Sequence, residues 1–361
     1  MSILASRAGS RFRIAPVAAF CAALTTLSMQ PDAASAQGKI VISNWDAYMP
    51  ADLLERFKAA TGHDAELTVH ATNEEIMGKV TAGGGVGYDV LFVSGQFAQA
   101  LDKLGLIAKL DHAQIPNLAN LYPEANELKH DLGNTFSIPY AWGTTGLCYR
   151  SDLVASEPSS WNDLLKPAAD LVGKTTMLAT DRWLLGAGFK AQGFSMNETD
   201  PAKIAATTAL LIEAKKTLLA YDDTTFYSKL VSGEASLVHA WDGWCNYGTA
   251  ENAEIKYVIP SEGTDLWVDT IVITSASENL DAAHDFLNFI LEPDVAKWVA
   301  ENIMYKSPNK PGMESLDPAL LEQYPNLAMA PAELLQQEQL LDVGETQKDY
   351  ARAVTEIMTA N

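Results

Sequence analysis

Short runs of apolar residues alternate along this chain with stretches that are apolar on one side only. Residues 40–42 are a continuous apolar run and residues 88–93 are strongly apolar, as expected of strands that are buried on both faces. Between them, residues 50–61 carry apolar side chains at helical spacing and end before Gly62, a residue typical of helix C-caps. The pattern therefore predicts an α/β protein in which strands alternate with helices.

The same alternation continues to the end of the chain. Near residue 147 a fresh series of α/β units begins, which makes this point the candidate boundary between two lobes. The pattern predicts a capped helix start at Ser160, a long helix over residues 201–220, and two C-terminal helices over residues 332–341 and 346–358.

A second helix is predicted to begin at Asn73, which would cap it. Glu74 and Glu75 would then lie in the first turn, where negative charge suits the helix dipole. The glycine-rich stretch that ends this helix lacks the spacing of a phosphate-binding loop.

The residues before the first strand read as an export signal. Arg7, Arg11 and Arg13 precede an apolar run over residues 14–27, and small residues up to Ala36 match a signal-peptidase site. The apolar run is too short to span a bilayer. The sequence therefore predicts a cleaved signal peptide over residues 1–36 and an exported protein.

Composition narrows the classes of ligand. The net charge of −21 disfavours nucleic acid and weakly favours cationic ligands. Cys148 and Cys245 lie in the exported part, where either a disulfide or two buried thiols fits the sequence. Neither the cysteines nor the histidines have the spacing of a metal site, so no metal and no cofactor is predicted.

Polar and aromatic residues follow the first predicted strand. Trp45 and Tyr48 flank Asp46, at a place where parallel α/β sheets bind ligands outside the carboxyl ends of their strands. Two rings and an acid would suit a cationic or amine-bearing small molecule. The alternative is that the rings merely pack the first loop.

Several ordered segments resemble the periplasmic spermidine/putrescine-binding proteins of ABC transporters. They cover essentially the whole exported chain in colinear order: Asn44-Trp45-x-x-Tyr48, Tyr88-Asp89-Val90, Ile138-Pro139-Tyr140-x-Trp142-Gly143, Ser160-Trp161-x-Asp163-Leu164, Trp267-x-Asp269 and Leu291-x-Pro293-Asp294-Val295-Ala296. The resemblance implies a two-lobed, hinged type II periplasmic-binding fold that closes on its ligand. Lobe 1 would comprise residues 37–147 and 270–313, and lobe 2 residues 148–269 and 314–361.

The resemblance also implies a set of cleft residues. The aromatic positions of that family correspond here to Trp45, Tyr48, Trp241, Trp267 and Tyr305, its serine to Ser94, and its amine-pairing carboxylate to Asp269. The implied function is a solute-binding subunit, monomeric, that carries a polyamine or related small amine to a membrane permease.

The chain departs from the family where other acids are usual. Ala47, Thr180, Trp183 and Trp244 stand at such positions, and we include Trp183 and Trp244 among the candidate ligand-binding residues. Losing these acids would leave one end of a polyamine unpaired.

Nearby charged residues offer replacements for the lost acids. Asp46, Asp181 and Asp242 are candidate partners for an amine, and Arg182 would bind a carboxylate if it faced the cleft. An ω-amino acid such as 4-aminobutyrate, or a quaternary amine, therefore stays open beside a polyamine. In the alternative view, Asp181 and Arg182 cap and decorate an exposed helix start.

An enzyme is the competing class. Asp46 and Asp269 would be a conceivable glycosidase pair in a secreted hydrolase, but acidic chains offer many such pairs. The sequence has no Gly-x-Ser-x-Gly elbow and no His-Glu-x-x-His motif. We therefore expect a binding protein, with no nucleic acid among its partners.

Overall fold

The computed structural model describes residues 38–360. The predicted signal peptide lies outside these residues. The strands, in chain order, are β1 (Lys39–Asn44), β2 (Asp64–Val69), β3 (Val90–Ser94), β4 (Ser137–Arg150), β5 (Thr175–Met177), β6 (Ala220–Tyr221), β7 (Leu237–Trp241), β8 (Ile255–Val258), β9 (Asp265–Ile273) and β10 (Glu338–Gln339). Strands and helices alternate over most of the chain, so the predicted α/β class is confirmed.

Helices connect and cover the strands. They are α1 (Leu53–Thr61), α2 (Asn73–Gly83), α3 (Gly95–Lys103), α4 (Trp161–Leu165), α5 (Asp181–Ala191), α6 (Pro201–Lys215), α7 (Phe226–Ser232), α8 (Asp242–Glu251), α9 (Leu280–Ile290), α10 (Pro293–Trp298), α11 (Lys310–Glu314), α12 (Pro318–Gln323), α13 (Pro325–Ala328), α14 (Pro331–Leu334) and α15 (Gln347–Thr359). None of these helices is both long enough and apolar enough to cross a membrane.

The sheet is open and has the strand order β2-β1-β3-β9-β4-β7-β5-β6, with β10 beside β9 and β8 beside β4. Strand β4 belongs to both halves of this sheet. Its first part, residues 137–144, pairs antiparallel with β9, and its second part, from Thr145 onwards, pairs with β7 and β8. The long β4 strand thus joins one half of the sheet to the other.

Apolar side chains bury both halves of the sheet. Ile40 and Ile42 of β1 are fully buried against α1 and α9, where Phe57 and Phe286 meet edge to face with ring centroids 5.4 Å apart. A second cluster joins α4, α5, α6 and α15 around residues such as Phe189. These layers of helix on sheet leave the strand ends free to carry the polar and aromatic groups described below.

A disulfide joins Cys148 of β4 to Cys245 of α8. Both residues are fully buried. Of the two states that the sequence allowed for these cysteines, the structure has the bonded one.

Two helices are shorter in the structure than the sequence predicts. The predicted helix over residues 332–341 stops at Leu334, and Glu338 and Gln339 instead pair with the start of β9. Glu338 accepts hydrogen bonds from Lys190 and Ser195, so contacts with distant parts of the chain override the local helical pattern. The predicted helix over residues 201–220 likewise ends earlier, at Lys215, which leaves Ala220 and Tyr221 to form β6.

The cap of α2 is Thr72 rather than Asn73. Thr72 has extended backbone angles, and its hydroxyl accepts a hydrogen bond from the backbone N–H of Glu75 at 3.2 Å. Asn73 is the first helical residue. Its side chain is therefore available for a different contact, with Ser94 of β3.

Candidate functional site

A cavity of about 490 Å³ lies where β1, β3 and β7 end and α2, α5 and α8 begin. Ten of the eleven residues predicted to bind a ligand line it: Trp45, Asp46, Tyr48, Ser94, Trp183, Trp241, Trp244, Trp267, Asp269 and Tyr305. The structure thus brings together side chains that are as much as 260 positions apart in the sequence. Its size falls within the range usual for small-molecule sites.

Asp269 is the buried carboxylate of this cavity. Its Oδ2 accepts a hydrogen bond from the Tyr48 hydroxyl and its Oδ1 accepts one from the Ser94 hydroxyl, each at 2.7 Å. Burial raises the pKa of Asp269, and the two hydroxyl donors only partly oppose this rise. No lysine, arginine or histidine within residues 38–360 makes an ion pair with it. A cationic ligand would supply the missing charge.

Local structure places Asp269 and its partners. Ser94, the last residue of β3, lies directly opposite Asp269 in the antiparallel pair with β9. Asn73, at the start of α2, receives the backbone N–H of Ser94 at 2.9 Å and donates to the Ser94 hydroxyl at 3.0 Å. The Ser94 hydroxyl is therefore fixed toward the carboxylate rather than free to rotate.

Aromatic rings form most of the cavity wall. Trp45 meets Tyr48 with ring centroids 5.2 Å apart, Trp267 meets Tyr305 at 4.7 Å, and both contacts are edge to face. The edge-to-face geometry fixes these rings against one another. Such faces attract ammonium groups and pack against methylene chains.

Two glycines allow this close packing of rings. A Cβ atom added to Gly243 would lie 2.3 Å from the Tyr305 ring, and one added to Gly143 would lie 2.5 Å from the Trp267 ring. Neither distance is compatible with a side chain. These glycines are therefore needed for the rings to reach the cavity.

The loop between Trp45 and Tyr48 has an unusual backbone. Ala47 has a φ of 53°, in the left-handed region that favours glycine. Asp46 is exposed and lines the cavity beside it. Because position 47 is alanine, the carboxylate that this loop contributes to the cavity is that of Asp46.

Arg182 is the candidate residue that does not reach the cavity. Its side chain is only 2% exposed, and it donates to the backbone oxygen of Leu341 at 2.8 Å and to Oδ1 of Asn197 at 2.7 Å. The expectation that it faces the cleft is wrong. So is the alternative of an exposed helix decoration, because these contacts hold the guanidinium inside the protein.

Replacing Arg182 by methionine is expected to reduce the free energy of unfolding by about 2–4 kcal/mol. The change removes the donor to the backbone oxygen of Leu341 and leaves Oδ1 of Asn197 with only the backbone N–H of Leu341. Affinity for an amine should not change. Urea unfolding together with ligand titration would test this. A loss of affinity in a variant that still folds would return Arg182 to the binding site.

Sequence reasoning missed several residues of the cavity. Ala71, Thr72, Asn73, Glu74, Thr180, Asp223 and Thr224 complete its lining. Asp223 went unnoticed because the predicted helix extended to Ala220, whereas the chain forms β6 and then turns toward the cavity. The Asp-Asp-Thr-Thr run over residues 222–225 is a turn signal that would have indicated this.

The charge inside the cavity is negative. Asp46, Glu74, Asp223 and Asp269 contribute carboxylates, and no basic side chain of the described residues lines the cavity. No group of three or more His, Cys, Asp or Glu side chains within residues 38–360 is arranged to hold a metal ion. The arrangement suits an organic cation.

Two further carboxylates lie buried behind the rings. Asp265 accepts a hydrogen bond from the indole N–H of Trp183 at 2.9 Å, which fixes that ring in the wall. Asp242, a candidate amine partner, instead accepts the backbone N–H groups of Gly243 at 2.8 Å and Thr144 at 3.1 Å, and it does not line the cavity. Burial, together with the nearby charge of Asp265, raises the pKa of Asp242 to about 7.

The raised pKa of Asp242 predicts a pH effect on stability. An aspartate in the unfolded chain titrates near pH 4, so between about pH 4 and pH 7 the folded state holds the proton more tightly. The contribution of Asp242 to the free energy of unfolding should therefore fall by about 2–4 kcal/mol as pH rises through that range. Urea unfolding at several pH values would measure this slope. Asp242→Asn should flatten it, and an unchanged slope would contradict the assignment.

The fold and the cavity define a solute-binding protein. The family model of bacterial extracellular solute-binding proteins matches residues 52–329, and the chain belongs to this family. It is 31% identical over 295 residues to the spermidine/putrescine-binding periplasmic protein of Salmonella typhimurium. This match covers 81% of this chain and 84% of that relative. The resemblance found in the sequence is thus confirmed.

Other similar proteins support the same family assignment. The putrescine/cadaverine-binding protein of Pseudomonas aeruginosa is 29% identical over 308 residues, covering 82% of this chain and 87% of that protein. The crystal structure of the spermidine/putrescine ABC transporter substrate-binding protein of Streptococcus pneumoniae superposes with a TM-score of 0.77 at 27% identity, over 90% of this chain and 99% of that one. The predicted periplasmic-binding fold is therefore confirmed as well.

Proposed function

We propose that this protein is the solute-binding subunit of an ABC importer and captures a polyamine, such as putrescine or spermidine, in its aromatic cavity. One observation carries the proposal. Asp269 is a buried carboxylate without an ion-pair partner among the described residues, and it lies in a cavity walled by aromatic rings. An ammonium group would neutralise it, and the rings would pack along the methylene chain.

The other ligands considered from the sequence have less support. An ω-amino acid needs a cation for its carboxylate, and Arg182, the residue considered for that role, is bonded elsewhere. The acidic side chains of the cavity would repel that carboxylate. A quaternary amine has no N–H group to donate to Asp269. Because the relatives are binding proteins, we propose a transport role rather than catalysis.

The proposal includes the route of the protein. Relatives are named as periplasmic proteins, which supports export to the periplasm, and we propose cleavage after Ala36. The partner would be the membrane permease of the importer, and the protein would act as a monomer. No role in binding nucleic acid is proposed.

Closure of two lobes would trap the ligand. The proposed lobes are residues 37–147 with 270–313, and residues 148–269 with 314–361. The change of pairing in β4, from β9 to β7 at Thr145, lies close to the first boundary and supports it. Trp45 in the first of these lobes and Trp241 in the second both line the cavity, and they would then meet the ligand from opposite sides.

Calorimetric titration of the exported chain with putrescine, spermidine, 4-aminobutyrate and choline tests the proposed ligand class. We expect either polyamine to bind at least about tenfold more tightly than the other two, a difference of about 1.4 kcal/mol. Tighter binding of 4-aminobutyrate or choline would refute the proposal. So would the absence of any polyamine binding below millimolar concentration.

A further inference from the structure

Asp223 is a second carboxylate of the cavity and lies on a different part of the chain from Asp269. It follows β6, and its Oδ1 accepts the backbone N–H of Ala179 at 2.7 Å while its Oδ2 accepts the Thr180 hydroxyl at 3.3 Å. These two donors come from the segment just before α5. They hold the carboxylate in one orientation at the cavity wall.

The neighbouring Asp222 has a purely structural role. Asp222 accepts the backbone N–H groups of Thr224 and Thr225, and it forms an ion pair with Lys229. Asp223 has no such partner: no basic side chain of the described residues pairs with it, and it lines the cavity. Within the turn over residues 222–225, Asp222 thus stabilises the turn and Asp223 lies at the cavity.

The surroundings of Asp223 suit the far end of an extended amine. Thr180, which bonds Asp223, also lines the cavity and precedes α5. One turn later, Trp183 packs edge to face on Trp241, with ring centroids 5.4 Å apart. Apolar ring surface therefore lies near the Asp223 carboxylate. An amine bound there would place its ammonium group at the carboxylate and its methylene groups against the rings.

The two carboxylates of the cavity have separate hydrogen-bond donors. Burial is the main cause of the raised pKa in both, and the remaining influences on Asp269 are the hydroxyls of Tyr48 and Ser94. Each acid is held by its own donors from its own segment. The cavity therefore offers two separate anionic positions, one from β9 and one from the turn after β6.

We propose that Asp223 binds the second cationic nitrogen of the ligand, so that the cavity selects amines with two or more ammonium groups over monoamines. This inference rests on the proposed function. Asp223 would also replace the family acids that are missing at Thr180 and Trp183. The Thr180 hydroxyl helps to orient the Asp223 carboxylate. Thr180 is a positioning residue in this scheme.

Binding of putrescine and of butylamine to the wild type and to Asp223→Asn tests the inference. Tryptophan fluorescence suits the measurement, because five tryptophans line the cavity and weak binding of the monoamine is readable at millimolar concentration. We expect Asp223→Asn to weaken putrescine binding by about 10- to 100-fold, as removal of one charge-assisted contact does, and to leave butylamine binding unchanged. Asp281→Asn removes the same charge from an exposed residue outside the cavity lining, and we expect it to bind putrescine like the wild type.

The outcomes separate the inference from the proposed function. If the wild type binds neither polyamines nor butylamine, the proposed function fails. If the wild type binds putrescine and Asp223→Asn binds it equally well, or loses butylamine to the same extent, only the role of Asp223 fails. Thr180→Val provides a second variant should Asp223→Asn not fold: it keeps the carboxylate, removes one donor, and should weaken putrescine binding several-fold while Thr180→Ser restores it.

Discussion

Replacing Asp269 by asparagine is expected to weaken polyamine binding by at least about 100-fold. Removing one partner of a buried charge pair costs about 3–5 kcal/mol, and about 1.4 kcal/mol corresponds to tenfold in affinity. Asparagine keeps the shape of the side chain and one acceptor for the hydroxyls of Tyr48 and Ser94. The loss therefore reports the charge rather than the packing.

Stability distinguishes this effect from misfolding. In the unliganded protein, burial already disfavours the charged form of Asp269, so the asparagine variant should unfold at the same urea concentration as the wild type or a higher one. Glu322→Gln, which removes an equal charge from an exposed helix residue outside the cavity lining, is the matched control and should bind normally. Retained affinity in Asp269→Asn would exclude the assigned role.

Removing the disulfide should have the largest effect on stability. Cys148 and Cys245 are 97 positions apart, and closing a loop of that length is worth about 4–5 kcal/mol in the chain-entropy account, with measured losses of about 2–5 kcal/mol. The double variant Cys148→Ala/Cys245→Ala is therefore expected to lose about 2–5 kcal/mol of unfolding free energy. Alanine avoids placing a new polar group in a buried site.

Urea unfolding of the oxidised wild type, the reduced wild type and the double variant would measure this loss. The last two should agree, because each lacks the same covalent link between β4 and α8. Unfolding of the double variant at the wild-type midpoint would show that the disulfide contributes nothing. Since neither cysteine lines the cavity, ligand affinity should change far less than stability.

Much of the site was predictable from the sequence because its residues stand at the ends of recognisable strands. Trp45 and Tyr48 follow β1, Ser94 ends β3 and Trp241 ends β7, so the α/β pattern alone places them near one edge of the sheet. Asp269 was identified by family resemblance. Its burial and its hydroxyl donors could not be predicted from the sequence, because they depend on contacts with distant segments.

The remaining errors have a physical origin. The local pattern around Arg182 is that of a helix start, and only the packing of residues 338–341 against α5 explains why the guanidinium points inward. Asp223 was hidden because residues 216–221 continue the apolar pattern of α6 although the chain leaves the helix at Lys215. In both cases, contacts between distant segments decided the outcome.

A crystal structure of the exported chain with bound putrescine tests the central claim most directly. We predict one ammonium group within hydrogen-bonding distance of the Asp269 carboxylate, and the methylene chain packed against Trp267 and Tyr305. A structure in which putrescine lies outside this cavity would contradict the account. So would one in which Asp269 pairs with a cation of the protein itself.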